Sequence, residues 1–134
     1  LQQFKYHGTM VKNGEFIVFN GPDEQFISGR AIGADGGIGG TYAVMPELFL
    51  KMNEFLEEGK MKEALEIQNK ADAIIYKMCE AHGNLYAVMK EILRINENID
   101  IGNVRKPLPG LIPEDIPIVE EAAKMIRDAI SELQ

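Results

Sequence analysis

Residues 16–42, FIVFNGPDEQFISGRAIGADGGIGGTY, constrain the fold of this chain more than any other stretch. The apolar run Phe16-Ile17-Val18-Phe19 has a β-branched centre and reads as a strand buried on both faces. Pro22 then makes a turn. Asp23 or Glu24 opens a helix, where a carboxylate sits well against the positive end of the helix dipole. That helix runs through Phe26, Ile27 and Ala31 to Gly33, and residues 35–40 form a second strand with its glycine-rich exit loop. Strand, helix, strand, helix in that order predicts an α/β fold with a parallel sheet. It places Asn20-Gly21-Pro22-Asp23-Glu24 and Gly36-Gly37-Ile38-Gly39-Gly40 at the carboxyl ends of parallel strands, where α/β folds bind ligands.

Past residue 42 the pattern is helical. Met45, Leu48, Phe49, Met52, Phe55 and Leu56 follow helical spacing, with Pro46 in the first turn and Gly59 past the end. A second helix is predicted over residues 61–81, with Ala64, Leu65, Ala71, Ile75 and Met78 inward and Gly83 as its stop. A third carries Leu85, Val88, Met89, Ile92 and Ile95. Residues 103–113, with Arg105-Lys106-Pro107-Leu108-Pro109-Gly110, form an irregular link. Asp115 is expected to cap a last helix bearing Val119, Ala122, Ile126, Ile130 and Leu133. Two strands leave two unpaired edges, and the helices carry more apolar surface than two strands can cover. The chain also opens on Leu1-Gln2-Gln3-Phe4-Lys5-Tyr6, which reads as the middle of a helix. The expectation is a piece of a longer protein, its missing strands lying upstream or supplied by a second copy.

Charge and composition exclude several function classes. The 134 residues suffice for one domain with a real core, and 26% charged residues is ordinary for a soluble globular protein. A net charge of -7 and a pI near 4.8 repel phosphate backbones, so no nucleic-acid partner is expected. No apolar run approaches the roughly 20 residues of a membrane-spanning helix, and no signal peptide is visible. The lone Cys79 rules out an internal disulfide and fits a reducing compartment. Cys79 and His82, three apart, would share a helix face, but two ligands are too few for a metal, and a packed thiol beside a helix-end histidine is the reading preferred. His7 is given no role. The glycine cluster lacks a following Lys, Arg or Ser at phosphate-loop spacing, and its pattern is not GxGxxG. Close packing of strand on helix explains it better than phosphate binding. The methionines fall mostly on core stripes. Arg105 and Lys106 are read as fastening the link rather than meeting an anionic substrate. The Glu and Lys residues of 57–63 are read as a solvated turn.

Four pieces in order carry a resemblance: Asn20-Gly21-Pro22-Asp23-Glu24, the run from Gly33 to Tyr42, Met45-Pro46, and Arg105-Lys106-Pro107-Leu108. Together they resemble the N-acetylneuraminate lyase and dihydrodipicolinate synthase family of pyruvate-dependent class I aldolases. The resemblance implies the C-terminal part of a (β/α)8 TIM barrel, its last two strands and helices, over residues 1–59. Three extra α-helices would follow over residues 60–134. It implies that Gly21, Asp23 and Glu24 hold hydroxyls of a sugar acid's tail, as ionised carboxylates do by accepting several hydrogen bonds. Gly40 joins them as a substrate-binding position, although lyases often carry a serine there and that hydroxyl is lost. The acidic pair favours the lyase branch, since a short aldehyde offers no polyol. The Schiff-base lysine would lie upstream of Leu1. Lys5 is on a helix and Lys12 precedes a strand, at the wrong end of the barrel, so neither is assigned as nucleophile. By this resemblance no catalytic residue lies in the chain, which alone would be inactive, while its parent cleaves a sugar acid to pyruvate and an aldose without metal or organic cofactor. A cytoplasmic homo-oligomer is expected. The alternatives are a dihydrodipicolinate synthase-type condensation, another keto-deoxy sugar acid aldolase, and a non-catalytic, self-associating half-barrel module.

Overall fold

The computed structural model describes residues 17–133. Two short parallel strands, β1 (Phe19–Asn20) and β2 (Gly36–Gly37), pair with Phe19 opposite Gly36 and Asn20 opposite Gly37. Asp35 N donates to Val18 O at 2.8 Å and Ile38 N to Asn20 O at 3.0 Å, extending the ladder at both ends. Helix α1 (Phe26–Ala31) connects the strands. Then come α2 (Pro46–Glu57), α3 (Met61–Met78), α4 (Leu85–Glu97) and α5 (Ile116–Ser131). Short 3₁₀ turns at Asp23–Gln25, Thr41–Ala43 and Pro113–Asp115 lead into α1, α2 and α5.

Local chemistry sets the ends of these helices. Pro46 occupies the first turn of α2, where a missing N–H costs nothing. At its end Gly59 has φ +74°, Gly59 N donates to Leu56 O at 3.1 Å, and Lys60 N donates to Phe55 O at 2.7 Å. That is a Schellman motif, and it needs the left-handed backbone that glycine adopts freely. Asn84 caps α4 by accepting from Tyr86 N, and Asn98 closes it in the left-handed region with φ 56°.

Helix α3 is central, packing on α2, α5, α1 and the first 3₁₀ turn, while α4 packs on α5. Leu48, Met52, Ile74, Met78, Val88, Ile92, Val119 and Ile126 are fully buried in one core that runs across residue 59 without a break. Alanines 64, 71, 122 and 123 are also fully buried, and such small side chains shorten the distance between helix axes. Leu65 and Ile95, predicted inward, are exposed, because they fall at the edges of their apolar stripes.

The sheet departs from prediction on one face. Successive strand residues point to opposite sides. Asn20 is buried on the helix side, and a Cβ on Gly37 would reach Phe26 and Tyr42 there. The other face carries Ile17 at 74%, Phe19 at 53% and Ile38 at 69% exposure. The run 16–19 was expected to be buried on both faces. Of it, Phe16 lies outside the described residues, and Ile17 and Phe19 are uncovered because nothing among the described residues packs on that face.

Three further readings are corrected. Helix α3 ends at Met78, short of residue 81, and Gly83 is not its stop: Gly83 is buried against Leu111 and Gly110, and its N donates to Asp115 Oδ2 at 3.0 Å. Asp115 makes no side-chain bond to the N–H groups of α5. It is fully buried and instead accepts from His82 N at 2.8 Å and Ile112 N at 3.1 Å, with His82 Nδ1 at 3.1 Å from Oδ1, so it ties the α3–α4 turn to the link before α5. Cys79 is exposed just past α3, and His82 lies beyond the helix, so they share no helix face and Cys79, only partly covered, is no core residue. Burial and then Glu24 push that thiol's pKa up. The 57–63 stretch is exposed, with Lys60 paired to Glu58 at 2.7 Å, but only residues 58–60 form the turn, since Glu57 ends α2 and Met61 opens α3. Arg105 and Lys106 are exposed on the link. His7, Lys5 and Lys12 lie outside the described residues.

Candidate functional site

The loops after β1 and β2 meet through one carboxylate. Asp23 opens the first 3₁₀ turn and is buried; its Oδ2 accepts from Thr41 N at 2.9 Å and from Thr41 Oγ1 at 2.6 Å. A charged acceptor with two donors makes a strong fastening, and it locks the start of the turn that leads into α2. The approach depends on Gly39, because a Cβ there would stand 1.5 Å from Asp23 Oδ1. Close packing therefore accounts for this glycine, as the sequence suggested, although its neighbour is a carboxylate rather than a helix. Gly39→Ala is expected to push Asp23 off Thr41 and to cost about 1–3 kcal/mol, as overpacking does. A lowered urea midpoint at unchanged slope is the expected readout; an unmoved midpoint would contradict the close approach.

Support for Asp23 comes from α3. Gln68 is buried, and its Nε2 donates to Asp23 O at 3.1 Å and to Asp72 Oδ1 at 2.8 Å. Its Oε1 accepts from Ile27 N at 3.2 Å, satisfying one of the free N–H groups at the start of α1. Asn20 Nδ2 donates to Pro22 O at 2.7 Å and holds the turn between. Asp72 is shifted up, by burial against the opposing Gln68 hydrogen bond and with a further push from Glu24.

Tyr42 lies behind this clamp. Its ring packs on Phe49 at a centroid distance of 3.9 Å and meets Phe26 edge-on at 6.1 Å. The hydroxyl is buried without a hydrogen-bond partner among the described residues, 2.3 Å from where a Cβ on Gly37 would stand. Burial, and then the charge of Asp23, push the phenol up to about 12, so it stays protonated.

Of the four predicted positions, Asp23 and Gly40 are brought together, since Thr41 follows Gly40 directly. Gly21 is exposed, with nothing within 4 Å of its missing side chain. Glu24 is exposed, and its charge adds to the upward shifts of Asp72 and Cys79. Gly40 is exposed at the end of β2, with Tyr86 and Met89 against it. Gln68 and Tyr86 carried no motif, and Thr41, inside the Gly33 to Tyr42 run, was given no role of its own. Gln68 had a usable signal: it is a polar residue on the core stripe of Ala64, Ala71 and Ile75, where a buried amide requires partners. Among the described residues no three His, Cys, Asp or Glu side chains gather as a metal site.

Two parallel strands joined by a helix, their exit loops clamped together and further helices packed behind, form a unit of the kind that parallel α/β folds repeat. The chain matches the dihydrodipicolinate synthetase family over residues 2–126 and belongs to that family. It is 59% identical over 129 residues to the N-acetylneuraminate lyase of Mediterraneibacter gnavus, a match covering 96% of this chain and 40% of that protein. It is 32% identical over 108 residues to the N-acetylneuraminate lyase of Fusobacterium nucleatum, covering 81% and 36%. The structure of wild-type Ruminococcus gnavus sialic acid aldolase superposes with a TM-score of 0.93 at 57% identity, over 99% of this chain and 43% of that one. A Fusobacterium nucleatum lyase structure gives 0.77 at 29% identity, over 90% and 41%. These neighbours are TIM-barrel aldolases, and this chain matches the C-terminal part of that fold: the last two strands with their helices, then α3, α4 and α5 as the three extra helices. The chain thus spans about 40% of the length of the N-acetylneuraminate lyases it resembles.

Proposed function

We propose that this chain supplies the tail-binding end and the helical extension of an aldolase of the N-acetylneuraminate lyase type. The observation that carries the reading is the Asp23–Thr41 clamp, which fastens an acidic loop to a glycine-rich loop at the carboxyl ends of paired strands. A fixed carboxylate there accepts hydrogen bonds from vicinal hydroxyls. Gly21, Asp23, Glu24 and Gly40 are the substrate-binding positions. Residues 1–59 are the barrel part and residues 60–134 the extension.

In the complete barrel a lysine outside this chain condenses with the C2 ketone of the sugar acid, expelling water. The iminium accepts the electron pair of the C3–C4 bond as the C4 hydroxyl loses its proton, and an aldose leaves. Protonation of the enamine at C3 and hydrolysis release pyruvate. No metal or organic cofactor takes part, and the working form is a cytoplasmic homo-oligomer.

Pyruvate with borohydride, read by intact mass, tests this. The chain alone is expected to give no adduct. Joined to the upstream portion of the Mediterraneibacter gnavus lyase, it is expected to give one adduct per subunit and to cleave N-acetylneuraminate. A stoichiometric adduct on the chain alone would mean that one of its own lysines forms the imine and that the strands are misplaced.

A further inference from the structure

The loop after β2 is flanked by a side chain from the extension. Tyr86 sits in the first turn of α4, placed there because Asn84 caps the helix and accepts from Tyr86 N at 3.0 Å. Its ring lies against Gly40: a Cβ on Gly40 would come within 3.2 Å of Tyr86 Cε1 and 3.9 Å of Cζ, the carbon that bears the hydroxyl. Met89 Cε would stand at 3.3 Å from the same point. The space that residue 40 leaves empty is thus filled from α4. Tyr86 is 54% exposed, and among the described residues its hydroxyl makes no hydrogen bond. A half-exposed ring anchored on a loop, its hydroxyl without a hydrogen bond among those residues, offers apolar contact and a hydrogen-bond donor together. Asp23 can only accept; a phenol can donate, and a polyol needs both.

We infer that Tyr86 is a specificity-determining substrate contact, its hydroxyl hydrogen-bonding the polyol tail of a sugar acid beside Gly40. This rests on the sugar-acid reading above. The contact serves the tail alone, so it bears on binding of long substrates and leaves the imine chemistry untouched.

The test uses the chain joined to the upstream portion of the Mediterraneibacter gnavus lyase. Tyr86→Phe, which keeps the ring, is expected to raise KM for N-acetylneuraminate about tenfold, the loss of one hydrogen bond. The same variant should leave kcat, pyruvate trapping by borohydride and KM for a short keto-deoxy acid without the tail unchanged. Tyr86→Ala opens the space beside residue 40, and adding Gly40→Ser to it should recover part of the lost KM. A KM within twofold of wild type for both substrates would overturn the assignment. So would an equal rise for both, which marks a structural effect. A wild-type joined enzyme that traps pyruvate but cleaves no sugar acid is a separate result: it sinks the sugar-acid reading itself, and this contact with it.

Discussion

Asp23→Ala, in the chain joined to an upstream barrel portion, is expected to raise KM for N-acetylneuraminate about 100-fold while pyruvate trapping stays intact. Two losses coincide. The tail loses a carboxylate acceptor, and Thr41 loses the partner of its N–H and its hydroxyl. Hydrogen bonds to a charged group contribute about 1.5–3 kcal/mol each, so losing two should also cost the chain roughly 3–6 kcal/mol of stability. Thr41→Val separates the two contributions. It removes only the Oγ1 donor, leaves Thr41's backbone N–H on the carboxylate, and should change KM less than about threefold. If Asp23→Ala left both KM and the denaturation midpoint at wild-type values, neither the clamp nor the tail contact would hold. If Thr41→Val matched Asp23→Ala in KM, Asp23 would act through the loop and not on the substrate.

The second large effect concerns stability in acid. Burial pushes the Asp115 carboxyl up, but N–H donors from His82, Ile112 and Gly83 and the His82 side chain outweigh it and hold the group at about 2, below its ordinary 3.8. A folded-state value below the unfolded one means stability that is present above the unfolded value. It is lost as pH falls through the folded value, here between about 4 and 2. Unfolding titrations of wild type and Asp115→Asn across that window should differ by about one proton taken up. The variant is also damaged at neutral pH, because an asparagine NH₂ in place of Oδ2 would face Gly83 N and Ile112 N, two donors. Asp115→Ala leaves those N–H groups without an acceptor and should lower Tm by roughly 5–10 °C. Proton uptake identical in wild type and Asp115→Asn would contradict the assignment.

Much of this architecture was legible in residues close together in the chain. The period of apolar residues marked α2 to α5, and Pro46 and Gly59 marked the ends of α2, because a proline at a helix start and a glycine in the left-handed region act within one turn. Four ordered motifs pointed to the family that the match over residues 2–126 establishes. Where reading failed, the error came from edges and partners. Leu65 and Ile95 sit at the borders of their stripes, and periodicity does not resolve a border. Asp115 looked like a helix cap because aspartate before a helix usually is one. Its acceptors were taken instead by a turn that the chain reaches 33 residues earlier.

The candidate site divides in the same way. Asp23, Glu24 and the glycines were visible because their types and spacing carry chemistry on their own. Their arrangement was not. Thr41 reaches Asp23 across 18 residues, and Gln68 reaches the same turn across 45. Tyr86 reaches Gly40 from a different helix. What the sequence by itself determined is therefore the order of strands and helices, the ends of α2, and which loops carry acid and glycine, since dihedral preference and side-chain period are local properties. Only the tertiary structure decided which of those side chains become partners. Burial removes water from Asp23, Gln68 and Asp115, and each must then find its hydrogen bonds wherever the packed helices bring a donor or acceptor within about 3 Å.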